Sequence, residues 1–199
     1  MLLTKQLRAF AILCDMDFDD FKKAYSVHRM DEQDKVAAFD CGDEDLNGFI
    51  LNDAPLYRKE KLAVTYTVLE KATDNRVVAF FSLSNDRISI SDFDNKTKYN
   101  RFSRRFNNHK RLKSYPAAKI GRLAVHSSAK GMNIGSTLLG FIKRYFTADN
   151  KTGCRFITVD AYAAAIPFYL RNGFVPLNEE DADEPTRLLY FDLNDLDED

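Results

Sequence analysis

From residue 24 onward the apolar positions recur with two periods, one of two residues and one near 3.6, and their alternation predicts the order of elements. Tyr25 to Arg29 reads as a short first strand. In FDCGDEDLNGFI, Asp43 is placed to cap a helix whose apolar face uses Leu46, Phe49 and Ile50, and the pattern runs on through Ala54, loosened by Pro55. LAVTYTVLE and VVAFFSLS, rich in β-branched and aromatic residues, flank the turn-forming TDNR and predict a hairpin of two long strands. AAKIGRLAV predicts a strand ending at Val125. Helical spacing then places Ile134, Leu138, Leu139, Ile142, Tyr145 and Phe146 on one face. FITVDA, residues 156 to 161, predicts a strand feeding a helix that includes Tyr169, and GFVPL and RLLYFDL predict two closing strands before an acidic tail. The fold class is therefore mixed α/β (α+β), with an antiparallel front half and a strand, helix, strand, helix, strand back half. No internal repeat interrupts it.

Composition narrows this picture. With 199 residues and 45% hydrophobic content, the chain can bury a core as one domain with an appendage. The expected division is an N-terminal extension over residues 1–20 and one domain over 21–199. Cys14, Cys41 and Cys154 are odd in number, widely spaced and without a metal-ligand pattern, which predicts a reduced, cytoplasmic protein with no disulfide framework and no metal. Lys5 and Arg8 precede a short apolar run, Ala9 to Cys14. That run is shorter than a signal core, no small-residue cleavage site follows, and Leu13 is bulky before the cysteine, so export is not expected. Met16 is an alternative start. No run approaches the length of a membrane span.

The net charge of -1 hides a local block. NKTKYNRFSRRFNNHKRLKSYP, an insertion at about residues 95–114, holds eight lysines and arginines and no acid, with Tyr99, Phe102 and Phe106 at near-helical spacing. Two readings stay open. The segment is an electrostatic platform for a polyanion, using Arg101, Arg104 and Arg105, or a solvated helix whose rings dock on a sheet. The acidic NEEDADE at 178–184 would oppose RNA on the same side.

The stretch SSAKGMNIGSTLL joins a strand to a helix and carries the clearest candidate chemistry. Lys130, Gly131, Met132, Asn133, Ile134, Gly135 and Ser136 offer backbone N–H groups at the positive end of a helix dipole, which is an anion site. The glycines let the main chain approach a phosphate, and Asn133 suits a left-handed turn. Neither the P-loop spacing nor the dinucleotide fingerprint is present.

The spacing K-x-x-N-x-G, Lys130 to Gly135, resembles the [QR]-x-x-G-x-[GA] pyrophosphate loop of the GNAT superfamily of N-acetyltransferases. Lys130 stands where glutamine or arginine is usual, and Asn133 where glycine is usual. GRLAVHSSAKGMNIGSTLL is similar throughout to that family's fourth strand, loop and third helix. VDAYAAAIPFYLRNGF is similar to its fifth strand and fourth helix, with the A-x-x-F-Y-x-x-x-G-F pattern at Ala165, Phe168, Tyr169, Gly173 and Phe174. FDCGDEDLNGFI resembles the first-helix region of the subgroup containing acetyltransferase toxins of toxin-antitoxin pairs, which acetylate aminoacyl-tRNA. The resemblance spans roughly residues 24 to 192.

The resemblance implies a GNAT fold, a mixed central sheet with splayed fourth and fifth strands flanked by helices, and acetyl-coenzyme A as co-substrate. It implies direct attack of an acceptor amine on the thioester, with the amides of Leu123 and Val125 polarising the carbonyl, the loop Lys130–Ser136 holding the pyrophosphate, and Tyr169 serving the departing thiolate. Tyr162, where many relatives carry asparagine, reads as a helix-start or rim residue. His126, His28 and Asp160 are candidate bases, and none is assigned. The favoured acceptor is aminoacyl-tRNA, with Lys59 and Lys61 extending the basic surface. A small amine or protein amino group is the alternative, and a non-catalytic coenzyme A sensor a further one. The implied partners are charged tRNA and an antitoxin; exposed edge strands allow a homodimer.

Overall fold

The structure is a computed structural model that describes residues 18–106, 112–148, 152–178 and 185–196. The expectations for residues 1–17, for the 107–111 part of the basic insertion, for most of the acidic NEEDADE stretch and for the end of the tail lie outside the described residues.

The predicted elements form largely where the pattern places them. An added helix, α1 (Phe18–Ala24), leads into β1 (Tyr25–Arg29), with Phe21 buried against the Tyr25 ring. Asp43 caps α2 (Glu44–Gly48) by accepting from the Leu46 N–H. The helix does not run straight on: a π-helical turn, Phe49–Asp53, intervenes before α3 (Ala54–Lys59), where Pro55 sits at the start and has no N–H to offer the preceding turn. β2 (Val64–Glu70) and β3 (Arg76–Ser89) make the expected hairpin, and Asp74 and Asn75 take left-handed φ values of 49° and 59° at its turn. Then follow α4 (Lys96–Ser103), β4 (Ser114–Val125), α5 (Ile134–Thr147), β5 (Phe156–Tyr162), α6 (Ile166–Arg171), β6 (Val175–Pro176) and β7 (Thr186–Asp192).

The strands form one seven-stranded mixed sheet in the order β1-β2-β3-β4-β5-β7-β6. β1 pairs antiparallel with β2, and β2 with β3, which is the antiparallel front half. β4 and β5 are parallel, but their ladder covers only Ala117–Lys119 against Phe156–Thr158. β5 spends its other edge along its full length on β7. β4 itself continues beyond this ladder through Ile120 to Val125.

The chain divides into two compact units, and β3 and β4 each contribute to both. The first contains the described residues up to Ser84 with Ile120–Arg144. Its core joins Met30, Phe39, Cys41, Phe49, Ile50, Ala54, Phe80 and Ala124. The second contains Asn85–Lys119 and the described residues from Tyr145. Its core is aromatic: Phe93, Tyr99, Phe102, Tyr115, Phe156 and Tyr190, with Phe106 packed against them. Burial of each such ring contributes about 1.5–3 kcal/mol.

Two expectations need correction. Among the described residues, the helix expected across the basic insertion covers Lys96–Ser103, because Tyr99, Phe102 and Phe106 are drawn into the aromatic core and the chain turns after Ser103 to deliver Phe106. On α5, Ile134, Leu138, Leu139 and Ile142 are buried, but Tyr145 is 50% exposed and rests edge-on against Phe146.

Candidate active site

β4 carries the first part of the site. Leu123 and Val125 alternate with the buried Ala124, and Ala124 faces the Phe49 and Phe80 core. A Cβ on Gly121 would approach the Ser82 hydroxyl to 3.1 Å, so this register admits a close crossing of β3 by β4.

At the end of β4 the chain turns through a short 3-10 segment, Ser127–Ala129, held at several points. The His126 N–H donates to the Val78 carbonyl at 2.8 Å, and the Ser127 N–H and hydroxyl both donate to the Asp40 carbonyl at 2.8 and 2.9 Å. His126 Nδ1 accepts from the Ser128 N–H, and its ring packs edge-on against Phe39. The loop then takes two left-handed residues, Gly131 at φ 83° and Asn133 at φ 59°. Asparagine is among the few side chains that adopt this region at low cost, which accounts for Asn133 where glycine is usual in the motif. A Cβ on Gly131 would meet nothing within 4 Å, so the loop is open there.

The first helical bond of α5 runs from the Thr137 N–H to the Asn133 carbonyl, which also accepts from the Thr137 hydroxyl at 3.1 Å. The amides of Ile134, Gly135 and Ser136 therefore stand ahead of the helical ladder, at the positive end of a 14-residue helix. The Ile134 side chain is buried and anchors the turn, while Met132 is half exposed. Lys130 does not reach outward. Its ammonium donates to the Cys41 carbonyl at 2.8 Å.

The FDCG segment is thereby the brace of this loop. Asp40 Oδ1 accepts from the Gly42 N–H at 2.8 Å and from the Asn47 amide at 3.1 Å, and these bonds hold its carboxyl below the usual carboxylate range, with His126 and Lys130 adding favourable charge. Asn47 Oδ1 accepts in turn from the Cys41 N–H and thiol. Neither Cys41 nor Cys154 is in a disulfide among the described residues; the Cys154 thiol donates to the Phe156 carbonyl at 3.2 Å, and burial pushes its pKa up.

Tyr169 belongs to the second unit, on α6. The pattern F-Y-x-x-x-G-F has a direct structural cause. Gly173 takes φ 80°, its N–H donates to the Leu170 carbonyl, and the Phe174 N–H donates to the Tyr169 carbonyl, which is a Schellman stop with Phe174 packed on the Tyr169 ring at 5.4 Å. This closure fixes the ring. Tyr169 is 6% exposed, its hydroxyl meets no hydrogen-bond partner among the described residues, and burial alone pushes its pKa up to about 12. Tyr162 is 65% exposed at the end of β5.

The other titratable candidates are engaged. His28 Nε2 lies 2.7 Å from Asp34, and the Asp31 backbone N–H together with His28 holds the Asp34 carboxyl low. Asp160 is paired with Lys119 at 2.5 Å. Of the three arginines singled out in the basic insertion, Arg105 donates to the Tyr190 hydroxyl at 2.6 Å and lies 3.8 Å from the buried Asp192 carboxylate, which Arg155 also contacts at 2.9 Å. Arg101 and Arg104 are exposed. Sequence reasoning missed the π-helical turn and the Asp40–Ser127 latch.

Residues 94–176 match the family model of the acetyltransferase (GNAT) domain. The class to which the fold and this match liken the chain is the GNAT acetyltransferases. Among solved structures with this fold is a tyrosine-to-phenylalanine mutant of KacT, 22% identical, covering 87% of this chain and 98% of that one at a TM-score of 0.70. A second is AtaT complexed with acetyl-methionyl-tRNAfMet, 21% identical, covering 87% and 97% at 0.69. A third is a mutant AtaT toxin bound to the C-terminus of the antitoxin AtaR and to acetyl-CoA, 20% identical, covering 87% and 96% at 0.66. No described helix is long and apolar enough to cross a membrane.

Proposed function

We propose that this protein transfers the acetyl group of acetyl-coenzyme A to the amine of an aminoacyl-tRNA, as a toxin controlled by an antitoxin. The observation that carries the cofactor reading is the braced loop, where left-handed Gly131 and Asn133 lead into the unladdered amides of Ile134, Gly135 and Ser136. Those amides suit a pyrophosphate, and each charge-assisted bond contributes roughly 1.5–3 kcal/mol. Lys130 acts by holding the loop to Cys41.

In the reaction the acceptor amine attacks the thioester carbonyl, with the amides of Leu123 and Val125 donating to the oxygen as it gains charge. The attacking nitrogen of the tetrahedral intermediate loses its extra proton to water, and the C–S bond breaks to give the amide and the thiolate of coenzyme A. A phenol with a pKa of about 12 is a weaker acid than the departing thiol, so Tyr169 donates a hydrogen bond to the departing sulfur and retains its proton. The acceptor reading draws on AtaT, whose structure holds acetyl-methionyl-tRNAfMet, together with the exposed Arg101 and Arg104. An antitoxin partner is proposed by the same likeness, and a homodimer from the carboxyl-terminal edge of the sheet at β6.

The test is thiol release from acetyl-coenzyme A with charged tRNA, uncharged tRNA, polyamines, amino sugars and lysine peptides side by side. Acetylation confined to charged tRNA is expected. Turnover with small amines or peptides only would remove the tRNA reading, and coenzyme A binding without turnover on any acceptor would leave a sensor.

A further inference from the structure

On β4, between the close-packed Gly121 and Leu123, stands Arg122. Its guanidinium carbon lies 3.9 Å from the centroid of the Phe49 ring and 5.3 Å from that of Tyr57, and these two rings themselves meet edge to face at 5.2 Å. The residue is half-buried, and its Nε is fully enclosed with no hydrogen-bond partner. Among the described residues it has no carboxylate and no acceptor. A partly desolvated cation held by rings alone keeps its fork of donors uncommitted, and leaving such donors unpaired is costly. Phe49 also opens the π-helical turn, a distortion that widens a helix and recurs at ligand sites.

We infer that Arg122 is a binding residue for a phosphate of the acceptor, with Phe49 and Tyr57 as its supporting shelf. The inference rests on the aminoacyl-tRNA reading above. In an aminoacyl ester the amino-acid carboxyl is esterified, so the anion nearest the reacting amine is the phosphodiester of the terminal nucleotide. Arg122 directly precedes Leu123, and successive strand side chains point to opposite faces. Arg122 therefore projects to the Phe49 face while the neighbouring amide serves the carbonyl. Its planar fork matches two phosphate oxygens, which an ammonium or a neutral amide does not.

The experiment compares Arg122→Gln and Arg122→Lys with the parent chain on two acceptors: the aminoacyl ester of a CCA trinucleotide, which has phosphodiesters, and the aminoacyl ester of adenosine, which has none. The loss in kcat/KM for Arg122→Gln is expected to be about tenfold greater on the trinucleotide than on adenosine, with Arg122→Lys between. Unfolding temperature and acetyl-coenzyme A affinity report whether the variants fold. Equal losses on the two acceptors, or none, overturn this inference alone. A parent chain that acetylates polyamines and neither ester overturns the acceptor reading and this inference with it.

Discussion

Lys130 Nζ donates to the carbonyl oxygen of Cys41 at 2.8 Å, joining the phosphate-type loop to a segment 89 residues earlier in the chain. The Asp40 carbonyl, one residue before, takes two more bonds from Ser127. The loop is thus shaped before any ligand arrives, which lowers the ordering cost of binding. Lys130→Met should lower unfolding free energy by about 1 kcal/mol and raise the KM for acetyl-coenzyme A. An unchanged melting temperature with a purely salt-dependent change in KM would instead assign the ammonium to the phosphate.

Gly131 and Asn133 are both left-handed, so both should tolerate glycine and resist a β-branched residue. Asn133→Gly keeps that conformation open and should leave acetyl-coenzyme A affinity within a few-fold. Gly131→Val and Asn133→Val should each cost roughly 1–2 kcal/mol or more in loop stability, read by thermal unfolding and by coenzyme A titration. Equal tolerance of valine at both positions would show that the loop conformation is not needed.

Tyr169→Phe removes a single buried hydroxyl and leaves the ring contacts with Phe168 and Phe174 in place. The kcat should fall by about 100-fold or more while coenzyme A affinity holds. Turnover within a factor of two of the parent would refute the sulfur-donor role.

The same hydroxyl links stability to alkaline pH. In the unfolded chain a tyrosine ionises from about pH 10, whereas folded Tyr169 does so only near 12, so the unfolded state binds fewer protons between these values and stability falls as pH rises. At pH 11 the loss is on the order of 1 kcal/mol, absent in Tyr169→Phe. Tyr25 and Tyr99, both raised chiefly by burial, act in the same direction, so the comparison is between parent and variant in urea titrations at pH 9 and 11.

The arginines of the basic insertion should separate into two kinds. Arg105→Ala should lower the melting temperature, because it strips a bond from Tyr190 and a neighbouring cation from buried Asp192. Arg101→Ala with Arg104→Ala should leave that temperature unchanged, weaken charged-tRNA binding and reduce its salt slope by about 1–2. tRNA binding indifferent to the second pair would return the insertion to a purely structural role.

Much of the architecture is written locally. The Asp43 cap, the hairpin around Asp74 and Asn75, and the turn into α5 were legible because capping chemistry, β-branched alternation and left-handed residues act within a few positions. The Tyr169 pattern was legible as a motif, and the structure supplies its cause in the Gly173 stop.

By itself the sequence determined the element order, the loop's conformation and the candidate chemistry, since each depends on short-range sterics and hydrogen bonding. Only the tertiary structure decided where Lys130 spends its charge, that Tyr99, Phe102 and Phe106 form a core under the basic helix, and that the Arg122 guanidinium lies over the Phe49 ring. Those outcomes rest on contacts between residues tens of positions apart, and burial, which fixes whether a cation or a ring is structural or available, is a property of the packed chain and not of any local pattern.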